Sequence, residues 1–329
     1  MKTKASFTAP LFVLVLYVLL IASIFFEERL LKAGGNLFLT VIILQILIFL
    51  LPAIIFCRLK GIGYAAKLNL RLFSPGKLGA VIVATLVLIC GSILIRFAQI
   101  HLLGITDFSF SLFSSYRDAT SSDFLYTTMA FAVMPALAEE LVFRAILLTE
   151  YNKDGIGAIT ATLVNSILAA MMCFRLEQLP VLFFASLIYC LITFVTGSSI
   201  AAFLSHLIFN IYGIFGEPYL LNALSDPTNR VLSLFLFALL FFILLIILLG
   251  ECEHILRRMG QTGVPTPSYR LKKTEDGKTP DLSATEAAED GASSPTALSE
   301  AVQRNIDVFF SPTFLLCLLV FAVMVFGFI

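Results

Sequence analysis

Pro135-Ala136-Leu137-Ala138-Glu139-Glu140-Leu141-Val142-Phe143-Arg144 places two adjacent carboxylates and a guanidinium inside an apolar run that extends from Phe124 to Leu148. A charge at membrane depth costs roughly 2.5 to 3.5 kcal/mol on insertion scales, so three of them in six residues must face protein or water. On a helix Glu140 and Arg144 stand four apart on one face, which lets an ion pair neutralise one carboxylate. Glu139 lies about 100° around the helix from its neighbour and is left for another partner or for chemistry. A structural ion pair that fixes helix orientation in a transporter or a scaffold is the alternative.

The chain is 59% hydrophobic and 13% charged over 329 residues, with a mean hydropathy of +0.97. A water-soluble globule of this length has no use for so much apolar surface, and the class is polytopic membrane protein. A formal net charge of +0 supplies no global basic field to suggest nucleic acid, and none is expected as a partner. The cysteines at 57, 90, 173, 190, 252 and 317 are scattered singly, which predicts neither a disulfide framework nor a zinc site. His101, His206 and His254 are the only histidines, and they form no HExxH.

Apolar runs occur at about 8–26, 37–57, 78–98, 124–148, 155–174, 178–196, 198–216, 231–250 and 308–329, each near the ~20 residues that span a bilayer. The expected fold is an all-α polytopic membrane helix bundle, with about eight core transmembrane helices and a C-terminal one. The first run is too long for the apolar core of a signal peptide and lacks a small-residue cleavage site, so it reads as a membrane helix. Arg58, Lys60, Lys67, Arg71 and Lys77 after the second run, and Arg257, Arg258, Arg270, Lys272, Lys273 and Lys278 after the eighth, belong on the cytoplasmic side together with the N-terminus. This predicts a multi-pass protein of the plasma membrane. Alternation then places Asp107 to Asp123 outside and the loop from Glu150 to Gly155 inside.

Four regions follow from these shifts: N-terminal membrane helices over 1–123, the charge-bearing core helices over 124–250, a linker over 251–307, and a last transmembrane helix over 308–329. Between Met259 and Asn305 the sequence is rich in Thr, Ser, Pro, Asp, Glu and Ala, too poor in branched apolar residues to fold, and reads as a disordered cytoplasmic linker.

A second polar stretch lies in the seventh run, where Gly197 to Ser199 forms a turn and His206 and Asn210 follow four residues apart. A helix presents their imidazole and amide on one face at membrane depth.

Together, Glu139-Glu140-Leu141-Val142-Phe143-Arg144 and His206-Leu207-Ile208-Phe209-Asn210 resemble the EExxxR and HxxxN motifs of the CPBP family of intramembrane proteases. Eukaryotic relatives in that family process prenylated CaaX proteins. The resemblance covers about residues 124–216. It implies a water-filled cavity in which Glu139 is the general base that activates a water against a peptide carbonyl. Arg144 pairs with Glu140 and fixes the helix, and His206 and Asn210 donate hydrogen bonds to the oxyanion. The implied partners are membrane lipid and a peptide or protein substrate at the membrane. No cofactor is implied, and one histidine with carboxylates makes a poor zinc set.

The chain departs from the family at one motif. Where the family has FxxxH, whose histidine helps hold the attacking water, this chain reads Ala169-Ala170-Met171-Met172-Cys173. A neutral thiol is a weak donor that cannot replace an imidazole, so Cys173 reads as a small buried apolar residue. At 1.5 Å per residue from the loop near Lys153, Glu139 lies about 20 Å deep and Cys173 about 30 Å, an offset that a kink at Pro135 could remove. The function classes are an active intramembrane endopeptidase, a catalytically impaired relative acting as a membrane binding or scaffold protein, and a transporter. No internal repeat or paired broken helices support the transporter.

Overall fold

The computed structural model describes residues 5–32, 36–61, 68–105, 124–217, 219–220, 230–261 and 295–327. All regular structure within them is helical: α1 (Ala5–Lys32), α2 (Leu37–Lys60), α3 (Leu78–Leu103), α4 (residues 124–153), α5 (Ala158–Cys173), α6 (Leu179–Thr196), α7 (Ser199–Phe215), α8 (Arg230–Gln261), α9 (Pro295–Phe309) and α10 (Pro312–Gly327). Six helical stretches are long and apolar enough to cross a membrane, namely Ala5–Ile24, Leu37–Lys60, Pro75–Leu103, Leu179–Thr196, Val231–Arg257 and Val302–Gly327. The shorter apolar α5 and α7, with the charge-bearing α4, account for the other three runs. The protein is a multi-pass helical bundle in the membrane.

One expectation changes. Helix α8 continues through Gln261 and α9 begins at Pro295, so both ends of the stretch read as linker over 251–307 are helical. Leu298, Val302, Ile306 and Phe309, three to four residues apart, give α9 an amphipathic pattern that a composition count averages away. The remainder of that stretch, 262–294, lies outside the described residues, as does the loop over 106–123.

The helix ends explain several polar residues. Asn36 caps α2 by accepting from the Leu39 amide, and Ser198 caps α7 by accepting from the Ile200 amide at 3.2 Å. Gly197, at φ 69°, ends α6 in the left-handed conformation and turns the chain back into α7 as an antiparallel neighbour. Arg71 and Lys77 donate to the last carbonyls of that end, at Gly197, Val195 and Thr196, where cations oppose the negative pole of the helix.

The apolar residues gather into two packed clusters. One is built by α1, α2, α4, α5 and α10, and the other by α3, α6, α7 and α8. Pro10 removes an N–H inside α1 and loosens the turn before it. Helix α10 packs along that turn, with Thr313 Oγ1 donating to the Phe7 carbonyl at 3.1 Å and the Cys317 thiol to the Pro10 carbonyl at 3.3 Å. A buried polar knot, in which Arg96 of α3 binds Glu217 at 3.1 Å and Gln178 at 2.6 Å, secures the chain between α5 and α6. The polar cavity lies where the two clusters meet.

Candidate active site

Helix α4 is not a uniform α-helix. It widens into π-helical turns at Met129–Val133 and Leu141–Leu147, on either side of the α-helical Met134–Glu140 that carries Pro135 and both carboxylates. Such turns free backbone groups and re-aim side chains, and in a membrane the freed groups need partners. One is supplied by Asn210, whose Nδ2 donates to the Ala132 carbonyl at 3.3 Å.

The expected pair is present. Arg144 Nη1 donates to Glu140 Oε1 at 3.0 Å, with both side chains 2% exposed. Nη2 of the same guanidinium donates to the Ser186 hydroxyl at 2.7 Å and to the Ser186 carbonyl at 3.1 Å, which ties α4 to α6. His206 Nδ1 lies 2.8 Å from the same Glu140 Oε1, which ties α4 to α7. An ionised carboxylate can only accept, so His206 carries a proton on Nδ1 and leaves Nε2 available to the reaction. A neutral His206 therefore offers a lone pair at Nε2, and a doubly protonated one offers an N–H.

Glu139 is placed differently. It lines a cavity of about 100 Å³ together with Cys173, His206 and Asn210. No hydrogen bond or ion pair engages it among the described residues. That volume has room for several waters, since one needs only ~10 to 15 Å³ on this measure. The structure thus brings Glu139, Glu140, Arg144, His206 and Asn210 to one place, divided between a bonded cluster and a free carboxylate.

Cys173 reaches the cavity with its thiol donating to the Ala170 carbonyl at 3.1 Å. The anticipated depth offset is absent because residues 154–157 are not helical. Counting from Ala158, Cys173 is about 22 Å along its helix, against about 21 Å for Glu139 counted from Lys153.

Two cavity residues escaped the reading of the sequence. Tyr189 of α6 stacks on His206 with ring centroids 4.7 Å apart and planes at 18°, and the Arg144 guanidinium carbon lies 5.1 Å from the same ring. Gln45 of α2 is the second. A tyrosine in an apolar run gives no signal, whereas an amide at the centre of one does. Among the described residues, no group of three His, Cys, Asp or Glu side chains is disposed to hold a metal ion.

Neither a curated protein nor a solved structure matches the chain. Residues 121–212 match the family described as Type II CAAX prenyl endopeptidase Rce1-like, and that segment runs from the start of α4 through His206 and Asn210. The carboxylate pair, the arginine, the histidine and the asparagine all lie inside the segment that is similar to the Rce1-like CAAX prenyl endopeptidases of the CPBP family.

Proposed function

We propose that the protein is an intramembrane endopeptidase in which Glu139 activates a water for attack on a peptide bond near the membrane. The observation that carries this reading is the Glu139 carboxylate, without a partner among the described residues, in a cavity with room for several waters that it shares with His206 and Asn210. Glu139 takes a proton as the water oxygen bonds to the carbonyl carbon, and passes it to the leaving amine as the C–N bond breaks. Asn210 has one amide hydrogen left after Ala132, and doubly protonated His206 has Nε2–H. Both act as donors to the oxyanion, a role worth about 10² to 10³ in kcat per donor. Glu140 does no proton transfer; it holds His206 and Arg144.

The substrate is a peptide or protein at the membrane, with the N-terminus and the basic loops on the cytoplasmic side of the plasma membrane. The test is cleavage of a membrane-proximal peptide library by the purified full chain in detergent. Wild type cleaves, and Glu139→Ala and His206→Ala do not.

A second reading is a non-catalytic membrane module, and one observation favours it: the thiol at 173 stands where the family has a histidine and is bonded to its own helix. Equal background cleavage by wild type and Glu139→Ala selects that reading.

A further inference from the structure

Gln45 lies midway along α2, 5% exposed, and lines the same cavity as Glu139 and His206. Its Oε1 is enclosed and has no hydrogen-bond partner among the described residues. Folded proteins rarely leave a buried side-chain amide unpaired, because its oxygen and its NH₂ group both give up water. The flanking residues Leu44, Ile46 and Phe49 are apolar, so packing alone gives no reason for an amide here. An orphan amide in a polar cavity marks a bound group.

The surrounding polar atoms narrow what that group is. Arg144 Nη1 and Nη2 are committed to Glu140 and Ser186, with Nε enclosed, Asn210 Nδ2 to Ala132, His206 Nδ1 to Glu140, and the Cys173 thiol to Ala170. Glu139 is uncommitted, and α2 packs directly on the helical segment Met134–Glu140 that carries it. A cavity of about 100 Å³ holds waters, each of which needs about two to four polar partners.

We propose that Gln45 is a catalytic residue whose amide, with the Glu139 carboxylate, holds the attacking water. The inference rests on the peptidase reading above. The Gln45 NH₂ group donates to one lone pair of the water and Glu139 accepts one of its protons, which turns the remaining lone pair toward the scissile carbonyl. As the O–C bond forms, the proton at Glu139 transfers to it and moves on to the leaving amine; the other stays on the new carboxyl group, and Gln45 is unchanged. Helix α2 precedes the family-matched segment, so this residue is an addition from a different part of the chain.

The experiment has two arms. In the first, the full-length Gln45→Met and Gln45→His proteins are compared with wild type and Glu139→Ala on the peptide library. Gln45→Met, close in shape but without the amide, lowers kcat about 10²-fold with KM nearly unchanged, and Gln45→His, which restores a water-binding group, recovers at least part of the loss. In the second arm, a structure of the purified wild type that resolves ordered waters shows one within hydrogen-bond distance of both Gln45 and Glu139. Wild-type kcat in Gln45→Met, or a water on Glu139 beyond reach of Gln45, overturns the proposal. Silence of wild type itself, equal to Glu139→Ala, overturns the peptidase reading, and the water structure then separates that failure from one of the Gln45 site. Should Gln45→Met fail to fold, the water position decides alone.

Discussion

Glu140 and His206 meet through Oε1 and Nδ1 at 2.8 Å, across 66 residues of sequence. The same oxygen accepts from Arg144 at 3.0 Å, so this carboxylate joins α4 to α7 directly and to α6 through the Arg144 guanidinium. Glu140→Gln leaves a buried guanidinium without its counter-charge. The loss expected is about 3 to 5 kcal/mol. Thermal unfolding in detergent measures it, and the double variant Glu140→Gln with Arg144→Met recovers a large part, because it removes the uncompensated charge.

Glu139→Gln separates chemistry from stability. With no partner for this carboxylate among the described residues, neutralising it breaks no bond, and the melting temperature does not fall. Peptidase activity drops by about 10² to 10⁴, the usual share of a general base. Parallel unfolding and cleavage assays on one preparation check both halves, and a fall in melting temperature would transfer to Glu139 the structural role assigned to Glu140.

Tyr189 offers a test of stacking against hydrogen bonding. Its hydroxyl is buried without a partner among the described residues, while its ring lies against His206 and Arg144. Tyr189→Phe keeps the ring and removes an orphan group whose burial costs about 1 to 3 kcal/mol, so it is neutral or stabilising. Tyr189→Leu loses the stack, worth about 0.5 to 1.5 kcal/mol beyond area, and releases the imidazole plane. The unfolding midpoint and kcat fall in Tyr189→Leu, and neither falls in Tyr189→Phe.

Glu27, beyond the apolar part of α1, has its carboxyl pushed up from 4.5 to about 7 by burial. A carboxyl with a raised folded-state value binds its proton more tightly in the folded chain than in the unfolded one. Its contribution to stability is therefore most favourable below pH 4.5 and is lost as pH rises toward about 7. The stability of wild type relative to Glu27→Gln falls across that window and is flat above it. Unfolding of both proteins at several pH values gives the difference, and a constant difference from pH 4.5 to 7 would refute the assignment.

The sequence carried the parts of this site that depend on one helix. Glu140 and Arg144 pair because four residues make one turn, and the apolar runs are helices because a lipid-facing backbone must satisfy itself. What depended on two helices was not legible. No spacing rule relates Glu140 to His206, and nothing in the run around Tyr189 distinguishes a ring that stacks on an imidazole from one that fills the core. The expected depth offset of Cys173 failed for a local reason, since counting residues through 154–157 treats a loop as though it rose along the membrane normal. Gln45 was visible as an amide among apolar neighbours, and its significance emerged only once α2 was known to pack on Met134–Glu140.

The closure of α10 on α1 has a consequence for biogenesis. The donors that serve the Phe7 and Pro10 carbonyls come from Thr313 and Cys317, so α1 sits in the bilayer with that side uncovered while residues 33–311 are made and inserted. At about 5 to 20 residues per second this lasts on the order of tens of seconds. Insertion factors and degradation machinery that sample unassembled membrane helices have that interval in which to act, and that side of α1 is shielded from them only when α10 reaches it.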